Sequence, residues 1–255
     1  MKFFILCIAT IQCILCAACA ASQNKFFIPV ETIEGIKKTV VPIVCGATTQ
    51  DGSFKITSTI GSAFFINNEG YFLTAGHVLD DWDKIDRSNG DCFPAVYIPK
   101  SDWQTLSVVR WFRFGNCIRP GAADVAVCKA TINPFSLEDI KKKITIAFLK
   151  PNLLLVDGTP VAFTGFPLSS LRPITSMGNI ASYIKMDNLI IIDKNAWPGA
   201  SGSPVYLADG KVIGILIKRG INDGSGLAYA VTTESILEFL RENNILIQQD
   251  KNQQN

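Results

Sequence analysis

Short apolar segments, each closed by Gly, Pro, Asn or Asp before it can lengthen into a helix, set the strongest limit on what this chain can become. Val40–Cys45, Thr59–Asn67, Tyr71–Thr74, Phe93–Ile98, Leu106–Phe114 and Asp124–Cys128 form a first set. Thr159–Phe166, Ile174–Ile184, Leu189–Asp193, Ser203–Leu207, Lys211–Ile217 and Gly226–Thr232 form a second. Their β-branched and aromatic content suits a pleated, half-buried surface. Turn clusters such as Asn67-Asn68-Glu69-Gly70 and Asp209-Gly210 join neighbours as hairpins. Only the end departs: Ser235-Ile236-Leu237-Glu238 reads as a capping box opening a short α-helix over 235–243. The fold class expected is all-β, two six-stranded antiparallel β-barrels followed by that helix. Barrel 1 covers about 40–130, a linker 131–150 and barrel 2 about 151–232, while 22–39 is expected to be a flexible lead and 248–255 a frayed tail.

The 255 residues suffice for such a pair of barrels with a sizeable core. With 24 basic against 22 acidic side chains and a net charge of +2, the chain carries no footprint for nucleic acid or for a charged membrane surface. The run Lys141-Lys142-Lys143 reads as a solvated stretch of the linker.

Residues 1–21 read as an export signal: Lys2, then an apolar run from Phe3, then a small-residue exit. Ala18-Cys19-Ala20 fits ordinary cleavage. Leu15-Cys16-Ala17-Ala18-Cys19 resembles a lipoprotein box that would lipidate Cys19, although its leucine lies one place too far upstream. An uncleaved anchor is the third reading, the run being near spanning length. All three put the remaining chain outside the cytoplasm, and the membrane link expected is only through a lipid anchor at Cys19. Four of the eight cysteines fall inside this segment, leaving Cys45, Cys92, Cys117 and Cys128. An even number in an exported chain allows disulfides in three connectivities, or four free thiols. The predicted 93–114 hairpin favours Cys92–Cys117, both at its open end. No Cys/His spacing suits zinc.

Chemistry concentrates in Ala196-Trp197-Pro198-Gly199-Ala200-Ser201-Gly202-Ser203-Pro204-Val205. A serine hydroxyl attacks a carbonyl usefully only when a base takes its proton and donors hold the oxyanion. Gly199 can turn its N–H beside that of Ser201. The single histidine, His77, follows a strand at Ala75-Gly76, where cleft-facing loops of barrel 1 would lie. Asp124 opens an apolar strand, Val125-Ala126-Val127, where a carboxylate needs a partner such as an imidazole N–H. Asp80, Asp81 and Asp83, nearer His77, read as a solvated loop.

Gly61-Ser62-Ala63-Phe64-Phe65-Ile66, Thr74-Ala75-Gly76-His77, Asp124-Val125-Ala126 and Gly199-Ala200-Ser201-Gly202-Ser203-Pro204, in that order, resemble the trypsin-like serine proteases. The likeness is to bacterial branches of the HtrA type, without a PDZ domain, and the peptidase domain would cover 40–247. It implies His77 as general base and then acid, Asp124 as its orienting partner, Ser201 as nucleophile, and the Gly199 and Ser201 N–H groups as oxyanion hole. The order His, Asp, Ser disfavours an α/β-hydrolase, whose serine comes first. No metal or cofactor is implied; the partner is a protein or peptide substrate, not nucleic acid.

The chain departs from digestive relatives. Ala200 stands where they carry an aspartate that pairs with a new N-terminus, and the cysteines bracketing their histidine are absent. Residues near Asn195, Ile217, Lys218, Arg219 and Gly226 are expected to line the specificity pocket, with no aspartate to select Lys or Arg. The reaction class expected is an exported serine endopeptidase. The alternatives are a catalytically silent protease-fold binding protein and, less favoured, an esterase using the same site.

Overall fold

The computed structural model describes residues 27–50, 54–81, 93–99, 109–119, 123–151, 154–219 and 226–247. The export segment with Cys19, residue Cys92, Asp83 and the 248–255 tail lie outside the described residues.

Twelve strands close into two antiparallel barrels. The first contains β1 (Val40–Thr48), β2 (Phe54–Phe65), β3 (Tyr71–Ala75), β4 (Phe93–Pro99), β5 (Val109–Ile118) and β6 (Val125–Ala130), in the order β1-β2-β3-β6-β5-β4. The second contains β7 (Pro160–Gly165), β8 (Ile174–Ile184), β9 (Leu189–Ile192), β10 (Pro204–Tyr206), β11 (Val212–Arg219) and β12 (Ala228–Thr232), in the order β10-β11-β12-β9-β8-β7. This is the expected architecture, with most strand ends within three residues of expectation. Closure leaves no free sheet edge, which removes the hazard that exposed edges bring.

The lead before β1 is not simply a flexible arm: α1 (Val30–Lys37) occupies its second half. Its N-cap, Pro29, offers no side-chain cap, so no start signal marks the helix. Tertiary contacts hold it instead. Ile36 and the preceding Ile28 are buried with the barrel 1 core, and Thr32 donates its hydroxyl to the Ala208 carbonyl at 2.8 Å. The terminal helix, α2 (Thr233–Glu242), begins two residues before the expected capping box. Ser235 therefore lies in its first turn and donates to the Thr232 carbonyl rather than capping. The Thr233 hydroxyl reaches back to the carbonyls of Lys150 and Ile213, which ties the helix start to the linker and to β11.

A single apolar cluster runs from Ile28 and the β1–β6 interior through Ala147 and Leu149 of the linker to Tyr206, Ile215 and α2. The linker is thus packed against both barrels rather than strung outside them: the Ala147 N–H donates to the Phe65 carbonyl of β2 and the Lys150 N–H to the Val212 carbonyl of β11.

The disulfide expectation is overturned. Cys117 of β5 bonds Cys128 of β6, not Cys92, and Cys45 is disulfide-bonded too, so the free-thiol alternative also falls. The reason lies in a bulge. The β5–β6 register shifts between Gly115 and Ile118, where Asn116 takes φ 50°, and this brings the Cys117 and Cys128 Cα atoms within 4.1 Å.

Candidate active site

Ala75, the last residue of β3, pairs with Val125, the first of β6. That register puts the residues just outside the pairing, His77 and Asp124, at the same barrel end although 47 positions separate them. Residues 76–81 form a helical turn whose first N–H groups have no partner within it. The His77 backbone N–H is used by Asp124 Oδ1, at 2.7 Å. The second carboxylate oxygen, Oδ2, accepts from the ring Nδ1, also at 2.7 Å. An ionised carboxylate only accepts, so Nδ1 carries a proton, and in the neutral ring Nε2 keeps its lone pair.

The pairing moves both titrations. The hydrogen bond that the His77 ring donates to Asp124 raises the His77 pKa above its ordinary 6.5, against burial, which acts to lower it. The charges of Asp124, Asp81 and Asp80 act in the same upward direction. Burial pushes Asp124 upward, but the hydrogen bond and charge of His77, with the backbone N–H groups of His77 and Gly76, outweigh it and leave its pKa lowered. Asp80 and Asp81 thus do more than decorate a solvated loop: Asp80 pairs with Arg119 at 2.7 Å and Asp81 borders the cleft.

Ser201 sits in the turn between β9 and β10, and its carbonyl accepts the Ser62 backbone N–H from β2 at 2.8 Å. Its neighbour Gly202 has φ 88° and donates to the Leu216 carbonyl of β11 at 2.7 Å. A Cβ at Gly202 would stand 1.9 Å from the Ser62 carbonyl oxygen, so only glycine fits. The Ser201 hydroxyl is 3.5 Å from the Ile217 carbonyl, at the weak end of hydrogen bonding.

Gly199 also takes a left-handed backbone, φ 90°. The carbonyl before it, on Pro198, accepts the Leu168 N–H at 2.8 Å. In a trans peptide the N–H points opposite to its carbonyl, so the Gly199 N–H faces away from the Pro167–Ser169 turn that holds Pro198. Gly199 itself borders the cleft.

His77, Asp124, Gly199, Ser201 and Ile217 all line one cleft of about 790 Å³. The remaining specificity residues fare differently. Asn195 is half-buried, while its neighbour Ala196 lines the cleft instead; Gly226 is exposed. The side chains of Lys218 and Arg219 lie outside the described residues. Leu216 and the exposed pair Leu168 and Trp197 line the cleft as well, and the strand pattern gave no signal for them. Among the described residues no group of three or more His, Cys, Asp or Glu is placed to hold a metal ion. None of their helices is long and apolar enough to cross a membrane.

A family model described as a trypsin-like peptidase domain matches residues 61–215, which include His77, Asp124 and Ser201. The chain belongs to the trypsin-like peptidase family. Among curated relatives of this peptidase, serine protease HTRA1 of Xenopus tropicalis is 24% identical over 203 residues, covering 74% of the chain and 37% of the relative. A probable periplasmic serine endoprotease, DegP-like, of Chlamydia pneumoniae is 26% identical over 175 residues, covering 65% and 30%. The trypsin-like chain thus spans about a third of the length of the curated relatives it matches.

Proposed function

We propose that the protein is an exported serine endopeptidase that works through an acyl-enzyme, with Ser201 as nucleophile, His77 as base and Asp124 as the partner that orients it. The observation that carries this reading is the double hold of Asp124 on His77, backbone and ring, at the edge of the cleft that also exposes Ser201. With Nδ1 protonated, Nε2 is the nitrogen free to take the Ser201 proton as Oγ attacks the peptide carbonyl. The long contact to Ile217 leaves the hydroxyl free to turn. The carbonyl oxygen becomes an oxyanion between the Gly199 and Ser201 N–H groups, each such donor contributing on the order of 10²–10³ in rate. His77 then hands the proton to the leaving amine. Water, activated through the same nitrogen, cleaves the acyl-enzyme.

Export is supported by the apolar 1–21 segment, by disulfides at Cys117–Cys128 and Cys45, which persist in oxidising compartments, and by the periplasmic description of one relative. The apolar Ala196, Leu216 and Ile217 surfaces in the cleft favour uncharged substrate side chains over Lys or Arg.

The test is labelling with a fluorophosphonate probe. The unmodified protein should label and digest unfolded protein, and Ser201→Ala should keep the fold while doing neither. Equal labelling of Ser201→Ala would overturn the assignment, and an unlabelled, inactive native protein would return the chain to the binding-protein alternative. Mass spectrometry of the exported chain's first residue decides between ordinary cleavage and lipid on Cys19.

A further inference from the structure

We propose that Ser62 is a positioning residue of the oxyanion site, acting through Gly199 from the opposite barrel. The inference rests on the reading of Ser201 as nucleophile. Ser62 lies in β2 of the first barrel and is fully buried, so its hydroxyl has no water to turn to. That hydroxyl donates to the Gly199 carbonyl at 2.8 Å and accepts the Phe166 backbone N–H at 2.9 Å. The Ser62 backbone is committed as well. Its N–H donates to the Ser201 carbonyl at 2.8 Å, and its carbonyl accepts the Thr74 hydroxyl at 2.8 Å.

Each bond bears on where one peptide group points. Holding the Gly199 carbonyl fixes the Gly199–Ala200 peptide. Binding Phe166 ties down the start of the turn whose Leu168 N–H holds the Pro198 carbonyl, and that hold orients the Gly199 N–H. The oxyanion donor and the turn behind it therefore converge on one hydroxyl, at sequence separations of 137 and 104, while the nucleophile's carbonyl is held by the backbone N–H of the same residue. Removing its oxygen takes the hydroxyl donor from the Gly199 carbonyl and the hydroxyl acceptor from the Phe166 N–H, and the oxyanion donor is released from the orientation it needs when charge develops.

Ser62→Ala is measured against the native protein for fluorophosphonate labelling rate and for kcat and KM on a tetrapeptide p-nitroanilide with alanine or valine before the bond. The expected result is a folded variant with kcat and labelling rate both lowered about 10- to 100-fold, less than outright donor loss. KM should stay within about threefold, because the donor acts on the transition state and not on substrate binding. Ser62→Cys, similar in size with a weaker donor, should fall between the two. A folded Ser62→Ala with unchanged kcat, or with raised KM alone, overturns the proposal. If Ser62→Ala does not fold, Ser62→Cys decides: native kcat overturns the proposal, and a several-fold loss at constant KM supports it. A native protein that neither labels nor turns over sinks the protease reading first, so the two failures are told apart.

Discussion

Asp124 grips His77 at two points, one carboxylate oxygen on the backbone N–H and the other on ring Nδ1, each at 2.7 Å. A single ring contact would leave the imidazole free to swing about its side-chain bonds; the backbone contact fixes the carboxylate relative to the peptide that carries the ring. The pairing of β3 with β6 supplies both residues from one barrel end, so the pair is built entirely from the first barrel. Asp124→Asn tests this arrangement. The amide oxygen can still accept the backbone N–H, but its NH₂ would then face Nδ1, forcing the proton onto Nε2, where it blocks deprotonation of Ser201. Thermal stability should change little, while kcat should drop by about 10³–10⁴-fold. A variant retaining a tenth of native kcat would show that the tautomer does not matter here.

The same pair sets the pH response. If His77 is the base, as proposed, it must be neutral to act, so kcat/KM should rise with pH through the raised pKa of His77. Stability runs the other way. A histidine whose folded pKa lies above its unfolded value stabilises the fold fully below the unfolded pKa, and this contribution fades as pH climbs through the folded pKa. Asp124, with its pKa lowered, stabilises above its unfolded value, and that contribution is lost as pH falls through the folded one. Asp81→Asn removes one of the charges that raise His77 and should move the acid limb of kcat/KM to lower pH. A limb moving upward would contradict the electrostatic account.

Two glycines should respond in opposite ways to alanine. At Gly202 the added Cβ meets the Ser62 carbonyl oxygen at 1.9 Å and the backbone has φ 88°, so Gly202→Ala should destabilise by about 3 kcal/mol or more and deplete soluble protein. At Gly35, inside α1, nothing lies within 4 Å of the new Cβ, and Gly35→Ala should stabilise by about 0.5–1 kcal/mol. Urea unfolding of both variants checks the pair. A neutral Gly202→Ala would mean that the Ser201 turn yields more than its contacts suggest.

What could be read in advance follows from how local each signal is. β8 reads correctly from Ile174 to Ile184 because its own apolar run is bounded by turn residues. His77, Asp124 and Ser201 stand in short motifs at strand ends, where their residue types are odd for the local pattern. Features set by distant contacts stayed hidden. α1 lacks a cap and is held by Ala208 and the barrel 1 core. The Ser62 hydroxyl looks like any small polar group in a strand until the second barrel folds against it. Ala196 rather than Asn195 faces the cleft because a loop's turns have no fixed period to read.

The Cys117–Cys128 bond gives the last test, and it separates stability from chemistry. The bond closes a short loop, sequence separation 11, across the β5–β6 bulge, away from the second barrel that carries Ser201. Chain-entropy reasoning assigns such a loop about 2–3 kcal/mol. For a chain of this size, the replacement of both cysteines by serine should lower Tm by roughly 5–10 °C. Asp124 immediately precedes the strand that Cys128 occupies, yet the His77 pairing rests on the β3–β6 register, which does not pass through the sulfurs. The doubly substituted protein should therefore keep kcat and KM within about twofold at a temperature well below its lowered Tm. A large fall in kcat with little change in Tm would mean that the bulge, through Asp124, helps aim the histidine.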